Sequence, residues 1–203
     1  MIDKTEEYDL LPSLNLRTGH IFGGSNCISI SKDAEIFLNF TLSLIHPKLF
    51  ETGQLMLEKL RNLESTKEIC QSWWSVYTGI AIICNRMTPS HRDRKGRPEW
   101  FDTLLSYSDN SARPRLLITD LGLDLKYSSG TVVGFCGTIF KHEVRNWGSG
   151  ERVCFAHFMR ESVRKRLDVE PAGWVKSSMY YPRTISEGGD HMDLDESDNI
   201  GNC

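Results

Sequence analysis

The chain has 203 residues, which is room for one domain of ordinary size. Apolar residues make up 39% of the chain and charged residues 25%, a composition that is typical of a folded protein and excludes a wholly disordered one. No run of about 18 apolar residues is present, so the sequence predicts no membrane span.

The net charge of −3 is unevenly distributed. Residues 186–203 contain six acidic side chains and no lysine or arginine, which predicts a disordered acidic tail. Residues 1–185 carry the remaining 24 basic and 21 acidic side chains and are therefore mildly basic. Such a charge permits a nucleic-acid partner without requiring one.

The first part of the chain has a helical pattern. After an N-terminal arm over residues 1–30, we expect a helical support over residues 31–70. Ser31 is a candidate N-cap, and the apolar residues that follow it recur at helical spacing: Ile36, Phe37, Phe40 and Leu44. Because a residue before proline avoids the α region, His46-Pro47 should end this helix. A second helix should then run through Leu55, Leu57, Leu60 and Leu63.

From residue 71 the sequence changes to short apolar runs separated by turn residues. Trp73–Cys84 predicts one or two buried strands, and Met87–Pro98 predicts a loop. Further strand candidates are Leu116–Thr119, Leu123–Tyr127, Thr131–Phe135, Ile139–Val144 and Val153–Phe158. Glu161–Leu167 should form a short closing helix. The predicted fold is therefore α+β, with a jelly-roll-like β core over residues 71–185 buttressed by N-terminal helices.

Two histidines and an aspartate are the candidate metal ligands. His91 and Asp93 are two residues apart, so in extended backbone both side chains point to the same side. His142 follows in a later strand candidate. Two histidines and one carboxylate form the facial triad that holds Fe(II) with coordination positions left open. The pattern predicts an iron site, provided that a rigid β core brings His142 to the other two.

Arg152 lies at the start of a strand candidate that is otherwise apolar. A buried guanidinium needs an anionic partner, because an unpaired buried charge is costly. A dicarboxylate co-substrate at the metal would supply one, in the bidentate geometry that arginine favours. An internal salt bridge to Glu143 or Glu151 explains the sequence equally well.

Three segments resemble the TET/JBP family of Fe(II)/2-oxoglutarate dioxygenases. They are residues 77–93 (YTGIAIICNRMTPSHRD), 130–142 (GTVVGFCGTIFKH) and 152–160 (RVCFAHFMR). The resemblance covers roughly residues 70–175, and it is closest to the short fungal members associated with transposable elements. The N-terminal helical part matches less distinctively.

This resemblance implies a double-stranded β-helix that oxidises 5-methylcytosine in DNA to 5-hydroxymethylcytosine, with further oxidation to the formyl and carboxyl stages left open. Fe(II), 2-oxoglutarate and O₂ are the implied cofactors. His91, Asp93 and His142 would ligate iron, and no catalytic residue is expected beyond the metal centre. Arg152 would bind the distal carboxylate of 2-oxoglutarate, and Arg86 matches an arginine that reaches the same co-substrate.

The resemblance also implies residues for DNA binding. Phe158 matches an aromatic residue that stacks on a flipped base, since chemistry on a methylated base requires that the base leave the stack. Arg160 stands where better-known relatives carry a base-contacting histidine, so His157 is a candidate substitute. Gly96 stands where relatives often carry Asn or Asp, which leaves Glu99 or Asp102 for that role. The remaining candidate DNA contacts are basic residues of one loop: Arg92, Arg94, Lys95 and Arg97.

Other interpretations of the sequence stay open. One is a dioxygenase on the same core that acts on N6-methyladenine or on RNA. Another is a catalytically idle DNA-binding module, and a third is a cupin-like small-molecule protein. The expected partner is DNA carrying 5-methylcytosine, and a DNA substrate implies a nuclear protein. The six cysteines contain no C-x-x-C pair and are expected to be free thiols.

Overall fold

The computed structural model describes residues 10–17, 24–94, 96–109 and 111–180. Its helices are α1 (Leu14–Arg17), α2 (Gly24–Ile30), α3 (Lys32–Ile45), α4 (Pro47–Asn62), α5 (Lys67–Ser72) and α6 (Glu161–Arg166). Its strands are β1 (Gly79–Cys84), β2 (Thr88–His91), β3 (Asp102–Ser108), β4 (Arg115–Ile118), β5 (Leu123–Lys126), β6 (Val132–Phe135), β7 (His142–Val144) and β8 (Arg152–Phe158). The predicted acidic tail and residues 1–9 of the predicted arm lie outside the described residues.

The strands form two four-stranded antiparallel sheets, with the orders β1-β8-β3-β6 and β2-β7-β4-β5. A buried cluster joins them, because it takes side chains from β4 and β7 of one sheet and from β6 and β8 of the other. Its members are Leu116, Ile118, Tyr127, Phe135, Val144 and Cys154. The fold is the double-stranded β-helix of an α+β protein, as the sequence predicts.

A second core cluster lies between the helices and the β core. Leu42, Leu49 and Met56 are fully buried there, against Tyr77 and Trp100. Burying a leucine or methionine side chain of this kind is worth about 1.5–3 kcal/mol. The helices are therefore held on the β core by an apolar interface of their own.

The break between α3 and α4 occurs at His46, as the proline that follows it predicts. His46 leaves the helical conformation, and its Nδ1 accepts a hydrogen bond from the backbone N–H of Leu49 at 3.2 Å. Its Nε2 contacts the backbone carbonyl of Glu99 at 2.9 Å. The fully buried imidazole thus caps α4 and ties the helical layer to the loop before β3.

The helical layer differs from the prediction in three respects. The apolar stripe that suggested α3 is exposed, with Phe37 and Phe40 at 58% and 61% exposure, whereas Glu35 on the same helix is buried. Ser31 is not a side-chain cap, because its hydroxyl donates to the carbonyl of Ile28 in α2. The helices α1 and α2, which lie in the predicted arm, and the helix α5 were not predicted.

The β core also differs from the prediction in detail. The segment 87–98, expected to be a loop, contains strand β2. The strand predicted from Trp73 begins only at Gly79. Strand β3 was missed, because its buried residues include Thr103 and Ser106, which give no apolar run. The short helix α6 matches the predicted closing helix.

The five cysteines among the described residues are all free thiols, as expected. Within the described part of the chain, none of the helices combines the length and the apolar character that crossing a bilayer requires.

Candidate metal centre

The side chains of His91, Asp93 and His142 meet at one point. Strands β2 and β7 pair in a register that sets His91 opposite His142, and the two imidazole centroids are 4.3 Å apart. Asp93 follows β2, and its two carboxylate oxygens lie 3.5 Å from His91 Nε2 and 3.6 Å from His142 Nε2. One ligand atom from each residue lies within 4.8 Å of the others. The two segments, far apart in sequence, therefore converge as a metal site requires.

Both histidines are oriented by backbone carbonyls. His91 Nδ1 lies 2.8 Å from the carbonyl of Pro89, and His142 Nδ1 lies 3.1 Å from that of Phe140. A carbonyl only accepts hydrogen bonds, so each Nδ1 carries a proton and each Nε2 is the ring atom that faces Asp93. Burial, the main cause, lowers the pKa of His142 and so favours its neutral form. This donor set fits Fe(II).

The turn after β6 supports the Asp93 carboxylate. The backbone N–H of Asp93 donates to the carbonyl of Gly137 at 2.9 Å. A Cβ at position 137 would lie 2.3 Å from Asp93 Oδ2 and 2.8 Å from Asp102 Oδ2. Burial, and secondarily the Asp93 charge, raise the pKa of Asp102 to about 7. Only a glycine at position 137 leaves room for both carboxyl groups.

Arg152 is buried without an ionic partner. Its side chain is 2% exposed, and among the described residues no carboxylate lies within ion-pair distance of the guanidinium. Its Nε and Nη1 atoms have no hydrogen-bond partner. Glu143 pairs instead with Arg145 at 2.5 Å, and Glu151 pairs with no basic side chain. The alternative of an internal salt bridge is therefore wrong, and the guanidinium is available to an anion.

One cavity of about 290 Å³ connects these groups. His91, Asp93, His142 and Arg152 line it together with Asp102. The triad and the unpaired arginine thus face the same open cavity, which is large enough for a small dicarboxylate beside a metal ion.

Phe158 and Arg160 form another part of the wall of this cavity. The Arg160 guanidinium carbon lies 4.9 Å from the centroid of the Phe158 ring, and the Arg160 N–H donates to Thr78 Oγ1 at 2.9 Å. A Cβ at Gly79 would lie 2.4 Å from the Phe158 ring, so the glycine lets the ring lie against the backbone of β1. The exposed side chains of Arg86 and Arg94 also line the cavity.

His157 does not agree with its predicted role as a base contact. Its Nε2 lies 2.9 Å from Glu35 Oε1, and its Nδ1 lies 3.2 Å from the backbone carbonyl of Thr103. The side chains of His157 and Glu35 are 1% and 5% exposed. Both ring nitrogens are thus engaged in the core between α3 and the β1-β8-β3-β6 sheet, and neither is free to contact a nucleotide.

Arg97 is likewise not the free cation that the basic loop predicted. Its guanidinium pairs with Glu99 at 3.1 Å and with Glu161 at 3.3 Å. Arg92 pairs with Asp120 at 2.7 Å. These ion pairs stabilise the loop and leave Arg94 as its exposed cavity-lining arginine among the described residues. Lys95 lies outside the described residues.

Two residues of the site were missed as such by the sequence analysis. Gly137 was not singled out, and no local pattern shows that it borders Asp93. Tyr127 lies beside Arg152 just after β5, and its spacing of two from the half-buried Leu125 could have placed it on the same side of the chain as that leucine. Of the two carboxylates predicted to fill the role that Gly96 leaves open, Glu99 pairs with Arg97 in the loop, whereas Asp102 lines the cavity.

Comparisons with known proteins agree with this geometry. A family model described as Tet_JBP, the oxygenase domain of the 2OGFeDO superfamily, matches residues 32–161, well over half of the chain. The fold is similar to a solved structure of NgTET1 in complex with 5mC DNA, with a TM-score of 0.56 and 16% sequence identity. The match covers 76% of this chain and 56% of that chain, so this chain spans little more than half of NgTET1. A search of curated protein sequences finds no match. The chain belongs to the TET/JBP family of 2-oxoglutarate–iron dioxygenases.

Proposed function

We propose that the chain oxidises 5-methylcytosine in DNA to 5-hydroxymethylcytosine, with Fe(II), 2-oxoglutarate and O₂. The observation that carries the proposal is the shared cavity, which is lined by a His–Asp–His group and by a buried arginine without a carboxylate partner. A protein that only bound DNA would have no use for either feature. An unpaired buried charge persists only where something repays its cost.

One group of cavity residues would bind the metal, and another residue would bind the co-substrate. His91, Asp93 and His142 would hold Fe(II) through Nε2 and carboxylate oxygens. When bound, the iron and 2-oxoglutarate supply the activation of O₂ that oxidation of a methyl group needs. Arg152 would bind the distal carboxylate of 2-oxoglutarate and orient it. The surrounding rings of Tyr127 and Trp147, at 5.3 and 5.8 Å from the guanidinium carbon, exclude water from this ion pair.

The substrate base has to enter the same cavity. A methyl group inside a stacked duplex cannot reach side chains that line a concave cavity, so the nucleotide must be flipped out at a cost of a few kcal/mol. Phe158 would stack on the base, and this stacking would offset about 1–3 kcal/mol of the free energy of flipping. Asp102, as the carboxyl group that lines the cavity, would contact the base edge together with Arg160.

DNA as the substrate is supported by the charges around the cavity and by the structural comparison. Arg94 is exposed and lines it, where it would contact a phosphate beside a flipped base, while the exposed Arg86 of the same lining would reach the co-substrate. NgTET1, which shares the fold, was solved in complex with 5mC DNA. A DNA substrate also implies a nuclear location.

The test is mass spectrometry of nucleosides from methylated duplex DNA incubated aerobically with protein, Fe(II), ascorbate and 2-oxoglutarate. We expect 5-hydroxymethylcytosine to form, and to be lost in Asp93→Ala. Asp124→Ala is the matched control, because Asp124 is an exposed carboxylate on β5 that pairs with Arg115 outside the cavity.

Other methylated substrates decide the substrate class. If oxidised products form only on duplexes with N6-methyladenine or on methylated RNA, the dioxygenase assignment stands and the cytosine assignment is wrong. If no nucleic acid is oxidised and 2-oxoglutarate is not consumed, the enzymatic proposal fails.

A further inference from the structure

A second cavity lies between the first helices and the β core. Its volume is about 570 Å³, and residues of helices α1 and α2 and of strands β1 and β8 line it. We call it the helix-side cavity, and the cavity lined by His91, Asp93 and His142 the metal cavity. Much of the helix-side wall is apolar, with side chains that include Leu16, Ile28, Ile80, Ile82 and Phe155. An occupant would therefore be surrounded mainly by hydrocarbon.

One carboxylate oxygen in this wall has no hydrogen-bond partner. Glu35 lines the helix-side cavity, and its side chain is 5% exposed. Its Oε1 lies 2.9 Å from His157 Nε2, whereas its Oε2 is buried without a partner among the described residues. A buried acceptor without a donor costs free energy, so nearly all such atoms in folded proteins are satisfied by protein, water or a ligand. A molecule in the cavity that carries a donor would satisfy Oε2.

The pair of Glu35 and His157 carries no net charge. His157 Nδ1 lies 3.2 Å from the backbone carbonyl of Thr103, so Nδ1 carries a proton. The contact between His157 Nε2 and Glu35 Oε1 needs one more proton, and the pair is neutral overall whichever of the two atoms holds it. Burial, the main cause, raises the pKa of the Cys27 thiol in the same wall and keeps it neutral. Glu35 Oε2 thus accepts a hydrogen bond in either state, and the donor need not be a cation.

We propose that the helix-side cavity is a separate ligand site, for a neutral and mainly apolar molecule that donates one N–H or O–H hydrogen bond to Glu35 Oε2. Its volume is within the usual range of small-molecule sites, about 300–1,000 Å³. Binding there requires neither metal nor co-substrate, because the metal ligands and Arg152 line only the metal cavity. Phe158 and Arg160 line both cavities, so an occupant would contact two residues that also border the metal cavity.

Indole and indene are matched probes for this site. Both are flat bicyclic molecules of nearly the same size, but only indole has an N–H group. Indene is the more apolar of the two, so burial of apolar surface alone would make indene bind more tightly. A hydrogen bond to the Glu35 carboxyl group should reverse this order. We therefore expect indole to bind roughly tenfold more tightly than indene.

The measurement is titration of the full chain with each probe, followed by the amide chemical shifts of the protein, without metal or 2-oxoglutarate. These shifts report where a probe binds as well as how tightly. We expect the changes at Ile28 and Ile80, which line only the helix-side cavity. The amides of His142 and Val144, which line only the metal cavity, should stay unchanged.

The variant Cys27→Phe adds a ring to the wall of the helix-side cavity and should weaken indole binding at least tenfold. Cys84→Phe is the matched control, because Cys84 is an exposed free cysteine on β1 that lines neither cavity. The amide spectrum of each variant without probe shows whether it is folded. If Cys27→Phe does not fold, the comparison of the two probes on the wild type decides alone.

Three results would overturn the proposal. If indene binds as tightly as indole or more tightly, no donor of the probe reaches Glu35. If indole shifts only amides of the metal cavity, the helix-side cavity is not its site. If neither probe binds, the cavity takes no ligand of the proposed class. Each of these results is independent of DNA oxidation, which is measured separately and depends on the metal cavity.

Discussion

The substitution Gly137→Ala tests whether the turn after β6 holds Asp93 in place for a metal. The added Cβ would lie 2.3 Å from Asp93 Oδ2, where ordinary contacts begin at 3.4 Å. The carboxylate must therefore move by about 1 Å, because the backbone on the other side of the contact is fixed by the Asp93–Gly137 hydrogen bond. A functional metal site tolerates deviations of only about 0.2 Å in its ligand distances.

The expected loss of metal affinity is roughly 10- to 100-fold, the usual range for a change in the residues that support metal ligands. At a metal concentration of about 100 times the wild-type dissociation constant, binding stabilises the wild type by about 2.7 kcal/mol. A variant with 100-fold weaker binding would gain only about 0.4 kcal/mol at that concentration. For a chain of this size, the gain in melting temperature should fall from about 5–10 °C to about 1 °C.

The assay is thermal unfolding with and without Mn(II), which substitutes for Fe(II) without oxidation. Each variant is its own reference, so a loss of stability in the metal-free variant does not affect the comparison. Gly173→Ala is the matched control, since a Cβ there meets nothing within 4 Å. An unchanged metal-induced shift in Gly137→Ala would refute the placement of Asp93 in a metal site.

Three further predictions concern the helical layer, the base and the DNA backbone. Burial lowers the pKa of His46, so the stability that the neutral imidazole contributes is complete above about pH 6.5 and is lost as the pH falls. In the wild type this loss lowers the free energy of unfolding by up to about 1.4 kcal/mol for each pH unit below pH 6.5. Chemical unfolding of His46→Asn should show no such loss. Gly79→Ala should displace the Phe158 ring and lower kcat/KM for methylated DNA roughly tenfold, while calorimetry shows unchanged 2-oxoglutarate affinity. Arg94→Ala should weaken DNA binding and reduce the slope of log K against log salt concentration by about one. Arg92 is already paired with Asp120, so Arg92→Ala should change this slope less.

The candidate metal ligands could be named from the sequence because two of them lie close together in the chain and all three are residue types of one ligand set. His91 and Asp93 are two residues apart, and His142 completes the two-histidine, one-carboxylate set of a facial triad. Their register could not be predicted. Strand β2 has the sequence Thr-Pro-Ser-His, without the apolar alternation that indicates a strand, and its pairing with β7 alone makes it one.

The errors have a common cause in contacts between residues far apart in the chain. The sequence pattern put Phe37 on the buried face of α3. In the structure Glu35 lies on that face, where it pairs with His157, which is far away along the chain. Arg97 looked like a phosphate contact, because nothing in its own loop shows that Glu161 comes to lie beside it. A charged side chain cannot be assigned to a ligand until its partners in the fold are known.

The proposed metal ligands and the proposed base contact lie on different sheets. His91 and His142 are fixed by the ladder between β2 and β7, and no helix takes part in that pairing. Phe158 lies at the end of β8 in the other sheet, next to the buried pair of His157 and Glu35 that anchors this strand to α3. We therefore expect changes in the helical layer to shift Phe158 without moving the proposed metal ligands. The sequence has the same division, since the candidate metal motif matches the family pattern and the departures at Gly96 and Arg160 fall among the expected base contacts.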